Sequence, residues 1–136
     1  MSPARVLVAC LLRCVAIVVV IAAYVAVVNR SESTDALGAG LLAFLILVAM
    51  ALIWALVDGV RRGLVEALAT WVLTSAVTAV GIPVALALTD SSRDVTTEVS
   101  DGFVFFVVVL LVPAVLGLAV GGLVHRVRRP AAAPVG

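Results

Sequence analysis

The sequence predicts an all-α, polytopic membrane protein: a four-transmembrane-helix bundle with both termini on the cytoplasmic side. Three observations predict it. Of the 136 residues, 65% are hydrophobic and 12% charged, and mean hydropathy is +1.33, which leaves too little polar surface to cover a water-soluble globule. Four apolar runs, 6–28, 36–57, 67–88 and 103–124, each approach the ~20 residues that cross ~30 Å of hydrocarbon. The nine cationic residues are all arginine and unevenly placed. Arg5, Arg13, Arg61, Arg62, Arg126, Arg128 and Arg129 fall on one side of the four spans, and Arg30 and Arg93 on the other. An excess of arginine marks the cytoplasmic side. The acidic loops, with Glu32 and Asp35 in the first and Asp90, Asp94, Glu98 and Asp101 in the second, then face outward.

Backbone groups in lipid must be paired within the element, so runs this rich in valine and isoleucine are helices all the same. One domain is expected over residues 1–128, with spans at about 6–28, 36–57, 64–88 and 103–124, followed by a short disordered cytoplasmic tail at 129–136. No soluble stretch is long enough to bury a core of its own.

The first span resembles a signal peptide in having Arg5 ahead of an apolar stretch, but Arg13 interrupts that stretch, which then runs on to Val28 without a convincing cleavage site. Arg13 lies roughly 10 Å along the helix from Val6. Two readings follow: its guanidinium snorkels to the headgroups, or it pairs across the bundle with Asp58 or Glu66. Cys10 and Cys14 are one turn apart, a spacing that disfavours a disulfide in a helix, and read as small apolar residues. No metal-ligand pattern accompanies them, and none occurs elsewhere.

The short connection after Val28 predicts that spans one and two form a tight antiparallel hairpin. Thr34 or Asp35 would cap the second helix. Residues 36–57 carry neither hydroxyl nor charge, as suits a lipid-facing or scaffold helix. Ala51, Ala55 and Gly59 recur every fourth residue, a small-residue stripe that lets a neighbour approach closely. Trp54 reads as an interfacial anchor.

The third span carries the pattern richest in chemistry. Glu66, Thr70, Thr74 and Thr78 recur every fourth residue, placing a carboxylate at the mouth of a hydroxyl stripe that should face protein. The stripe either lines a polar pathway, with Glu66 as proton or cation acceptor, or its hydroxyls bond back to their own helix. Pro83 removes one helical hydrogen bond and predicts a kink further along.

Val95, Val99 and Phe103 predict that the end of the second outer loop is already helical and lies at the interface. The fourth span carries Pro113, Gly117 and Gly121 at spacing four. Gly117 and Gly121 form a GxxxG pair, a signal of close helix packing or homo-oligomerisation. His125 reads as interfacial.

These features resemble a family of small bacterial four-span membrane proteins whose name places them alongside the drug/metabolite transporters. The resemblance runs over most of the chain: an arginine-containing first span, WALVDG at 54–59 with arginines following, ATWVLTSAV at 69–77, and EVSDGFVFFVVVLLVPAVLG at 98–117. It implies a four-helix membrane fold and transport, and it brings no catalytic residues with it. Small multidrug exporters, by contrast, carry an essential carboxylate in the first span, where this chain has Arg13. A coupling carboxylate would have to be Glu66 or Asp58.

The functional expectation is a transporter of a small cationic or amphipathic solute in the bacterial inner membrane, homo-oligomeric or within a larger complex and proton-coupled through Glu66 or Asp58. Its pathway would comprise Glu66, Thr70, Thr74, Thr78, Arg13 and Asp58, with Gly117, Gly121, Pro113 and Pro83 shaping helix packing. The alternative is a non-transporting structural or accessory subunit. No enzyme signature, cofactor motif or basic nucleic-acid-binding face is present in the sequence.

Overall fold

A computed structural model of the chain describes residues 3–30, 36–62, 64–89 and 94–128. These form four helices, α1 (Pro3–Arg30), α2 (Ala36–Arg61), α3 (Leu64–Thr89) and α4 (Val95–Arg128). Each is long and apolar enough to cross a membrane. The expected caps Thr34 and Asp35, the outer-loop residues Glu32, Asp90 and Arg93, and the tail at 129–136 lie outside the described residues.

The helices begin and end for local reasons. The Arg62 amide donates to the Asp58 carbonyl at 2.7 Å, closing the last turn of α2. His125 Nδ1 lies 2.8 Å from the Val60 carbonyl oxygen, so a side chain of α4 satisfies one of the free carbonyls at the α2 terminus. At the start of α4, Asp94 Oδ2 accepts from the Thr97 amide at 3.2 Å and from its hydroxyl at 2.7 Å, an N-cap that the sequence reading assigned only to a loop. Helix α4 therefore runs unbroken from the expected interfacial turn into the span. Pro83 and Pro113 both sit inside continuous helices with buried side chains.

Packing does not follow chain order. The most extensive seam joins α2 to α4, followed by α3 to α4 and α1 to α3, while α1 and α2 touch lightly. The expected tight hairpin of the first two spans is thus corrected. Those helices meet mainly through long polar side chains, Tyr24 donating to the Ala39 carbonyl at 2.7 Å near one end and Arg13 reaching Asp58 near the other. A short connection holds two helix ends near each other, but in lipid no hydrophobic force closes the shafts, and small-residue surfaces decide the contacts.

The α2–α4 seam shows that preference. A Cβ added to Gly117 would lie 2.5 Å from the Leu52 carbonyl oxygen and 2.9 Å from the Leu56 nitrogen. One added to Gly121 would collide with the Leu56 carbonyl oxygen, and one at Gly59 would lie 3.1 Å from the Gly121 Cα. The stripe of Ala51, Ala55 and Gly59 and the GxxxG pair are two halves of one intramolecular contact. Helices α2 and α4 run parallel, as do α1 and α3, where Cys14 meets Thr78 and Gly81 faces Val18. The α1 and α3 amino ends and the α2 and α4 carboxyl ends consequently share one end of the bundle.

Its centre is filled by Ile17, Leu47, Trp71, Ile82, Leu110 and Leu118. Outward faces remain apolar, with Leu11, Val19, Ile53, Val104 and Leu123 all exposed. Only lipid accommodates such a surface without association.

Candidate functional site

Asp58 stands one turn before the end of α2, and three helices converge on it. Its Oδ2 is 2.5 Å from Arg13 Nη2 of α1 and accepts from the Trp71 indole Nε1 of α3 at 3.0 Å. Its Oδ1 lies 3.5 Å from Arg62 Nε, one turn further along. The Arg13 guanidinium also sits 5.3 Å from the centroid of the Trp71 ring, so the cation faces both the carboxylate and the indole π system. The Arg13 and Asp58 side chains are each 10% exposed. Of the two sequence readings for Arg13, the structure shows the cross-bundle pair, with Asp58 and not Glu66 as partner.

The cluster forms because each member is buried by its own helix's geometry. Trp71 lies in the centre of the bundle, and a buried indole N–H needs an acceptor. Asp58 supplies it. The carboxylate in turn offsets the desolvation of Arg13, which in an apolar site is tolerable only with a partner. Among the described residues, neither Nη1 of Arg13 nor Nη1 of Arg62 has a hydrogen-bond partner, although both are buried.

The hydroxyl stripe lies deeper along α3. Thr70 donates to the Glu66 main-chain carbonyl at 2.7 Å, Thr74 to that of Thr70 at 2.8 Å, and Ser75 to that of Trp71 at 2.8 Å. Thr78 instead crosses to α1, donating to Cys14 Sγ at 3.3 Å, and the Cys14 thiol points at the Thr74 carbonyl from 3.7 Å. All four hydroxyl residues are fully buried, so the stripe does face protein. Cys10 and Cys14 are free thiols with their sulfurs 3.8 Å apart. Among the described residues, no group of three or more potential metal ligands comes together.

Glu66 stands apart from the stripe it begins. Its side chain is half-buried and borders an open depression of about 660 Å³ between α1 and the α2–α3 turn, lined also by Ala4, Val8, Ala9, Leu12, Arg61 and Arg62. The structure thus separates the six expected pathway residues into three groups: the Arg13–Asp58 pair, the buried threonines, and Glu66 at the surface. Gly117 and Gly121 occupy the α2–α4 seam, with Pro113 buried on the same helix.

Trp71 and Arg62 are the members of the cluster that sequence reasoning missed. A signal for Trp71 existed, since a tryptophan one turn beyond Ala67 within a buried helix must place its N–H somewhere. Comparison with protein-family models, with curated proteins and with solved structures finds no match to this chain.

Proposed function

We propose that this chain is a non-transporting structural or accessory subunit of the bacterial inner membrane, with both termini and the α2–α3 turn in the cytoplasm. The observation that carries the reading is the state of Asp58. A carboxylate paired with two guanidinium groups and accepting an indole N–H is engaged by side chains of the same chain. Such a group holds three helices in register, as buried polar groups do in coiled coils. The threonine hydroxyls point to the same role, because Thr70 and Thr74 spend their protons on α3 carbonyls and Thr78 spends its proton on α1. The arginine bias supports the orientation: Arg13, Arg61, Arg62 and Arg126 stand at one end of the bundle and Arg30 at the other.

A second reading, transport of a small cationic or amphipathic solute, rests on Glu66. Its carboxylate opens on the depression beside α1, and the resemblance to four-span transporters agrees with it. One measurement separates the two. Purified protein in detergent is titrated with lipophilic cations while proton release is followed, for the parent, Glu66→Gln and Asp58→Asn. The structural role predicts silence in all three, with thermal stability lowered in Asp58→Asn alone. Proton release by the parent that vanishes in a folded Glu66→Gln variant would overturn it in favour of coupled transport.

A further inference from the structure

The arginines at this end of the bundle also border a second hollow, next to the end of α2. Under the end of α2 lies a depression of about 390 Å³ lined by Gly59, Arg61, Arg62, Leu64, Gly122, His125 and Arg126. Among the described residues, three arginines border it and no carboxylate does. The His125 ring is held against the Val60 carbonyl, and its position exists because Gly59 and Gly121 let α4 pass close to α2. Arg62 Nη1, buried and without a partner, belongs to one of the side chains that form the wall.

This depression does not end at the membrane surface. Leu64, Gly122 and Arg126 also line a narrower groove of about 180 Å³, completed by Ala119 and Leu123. Going from Arg126 to Ala119 is two turns of α4 into the span, so the groove leads from the basic end toward the hydrocarbon between α3 and α4. Leu64 and Leu123 are both exposed there, as lipid-facing residues are. A basic hollow that opens into an apolar furrow at the membrane boundary matches an amphiphile with an anionic head and a hydrocarbon tail.

We infer that this site binds one anionic glycerophospholipid, its phosphate held by Arg61, Arg62 and Arg126 and an acyl chain laid along Ala119, Gly122 and Leu123. Guanidinium groups suit the role because each offers two parallel N–H donors to phosphate oxygens. A zwitterionic lipid leaves the three arginines with less charge compensation, and a free anion makes no use of the furrow.

The test is native mass spectrometry of the full chain in non-ionic detergent, titrated with phosphatidylglycerol or with phosphatidylcholine of the same acyl chains. The expected result is preferential retention of one phosphatidylglycerol. Arg61 and Arg126 are exposed and are not among the Asp58 partners Arg13, Arg62 and Trp71, so Arg61→Gln/Arg126→Gln should keep the parent's melting temperature in detergent. That double variant should bind phosphatidylglycerol about thirtyfold more weakly, as the loss of two interfacial arginines implies. Ala119→Trp should weaken binding while preserving the preference between headgroups, and Arg30→Gln, at the opposite end, should change neither. Equal retention of the two lipids, undiminished binding by the double variant or by Ala119→Trp, or full displacement by inorganic phosphate would overturn the proposal.

Discussion

The α2–α4 seam and the junction of α1, α2 and α3 at Asp58 solve the same problem with opposite materials. Between α2 and α4, Gly59, Gly117 and Gly121 remove the side chains where the helices come closest and let two backbones meet, so dispersion acts over that contact. At Asp58 the backbones stay apart and the gap is bridged by long polar side chains, Arg13 from one helix and Trp71 from another. Lipid tails are as apolar as leucine, so neither seam gains from burying hydrophobic surface. One relies on shape, the other on the cost of leaving a charge unmet. The first tolerates no added atom, and the second tolerates no deletion.

Substitutions can break each half of that contrast. The largest effect belongs to Asp58→Ala, which leaves Arg13 buried without its carboxylate and should cost about 3–5 kcal/mol, read as the shift in an unfolding titration in mixed micelles. Replacing both charges, as in Arg13→Met/Asp58→Leu, should restore part of that loss, because Arg13 is no longer orphaned while the Trp71 N–H and Arg62 still lose their acceptor. A double variant as unstable as Asp58→Ala would show that the pair does more than neutralise itself. Next comes Gly121→Ala. The new Cβ meets backbone atoms of Leu56, Gly59 and Val60, none of which can rotate away. The expected cost is about 2–3 kcal/mol, near the top of the range for overpacking, and the same titration reads it. An alanine accepted without loss would mean that α2 and α4 slide more freely than their contacts imply.

The smallest effect sharpens the comparison from outside both seams. At the N-cap of α4, the Thr97 hydroxyl, followed by the Thr97 amide, holds the Asp94 carboxyl below its ordinary range. A carboxyl with a depressed folded-state pKa contributes stability that is complete above its unfolded pKa and is lost as pH falls through the folded value. Asp94→Ala should therefore increase amide exchange in the first turn of α4 at neutral pH. Acidification below the usual carboxylate range should erase the difference between variant and parent.

How much of this was legible beforehand depended on range. Apolar length alone identified four spans, and period-four spacing found both small-residue stripes and the hydroxyl stripe. Joining the stripes was another matter: Ala51, Ala55 and Gly59 fit any smooth helix, and nothing in their spacing points to Gly117 and Gly121 more than sixty residues away. The assumption that chain neighbours pack together supplied the wrong partner for α2. Arg13 had two readings, snorkelling to the headgroups or pairing with a carboxylate, and depth restricts the second to Asp58 and Glu66 without separating them. Trp71 decides between them by adding a donor to Asp58, thirteen residues distant and on another helix. Local periodicity carries no record of such a three-helix meeting. The Asp94 cap, by contrast, was available to inspection, as an aspartate three residues before a threonine at a helix start.

The pairing order of the helices also has a bearing on biogenesis. Spans leave a ribosome in sequence, and α2 finds its principal partner only in α4, the last to emerge. While the final third of the chain is still being made, the glycine-alanine face of α2 has nothing of its own to rest against. The salt link from Asp58 to α1 and its bond to the indole of α3 need none of α4, so they are complete as soon as three spans are inserted. A nascent chain arrested at that stage would be a charged clasp holding an open edge, and α4 enters last, as the stave that closes the barrel.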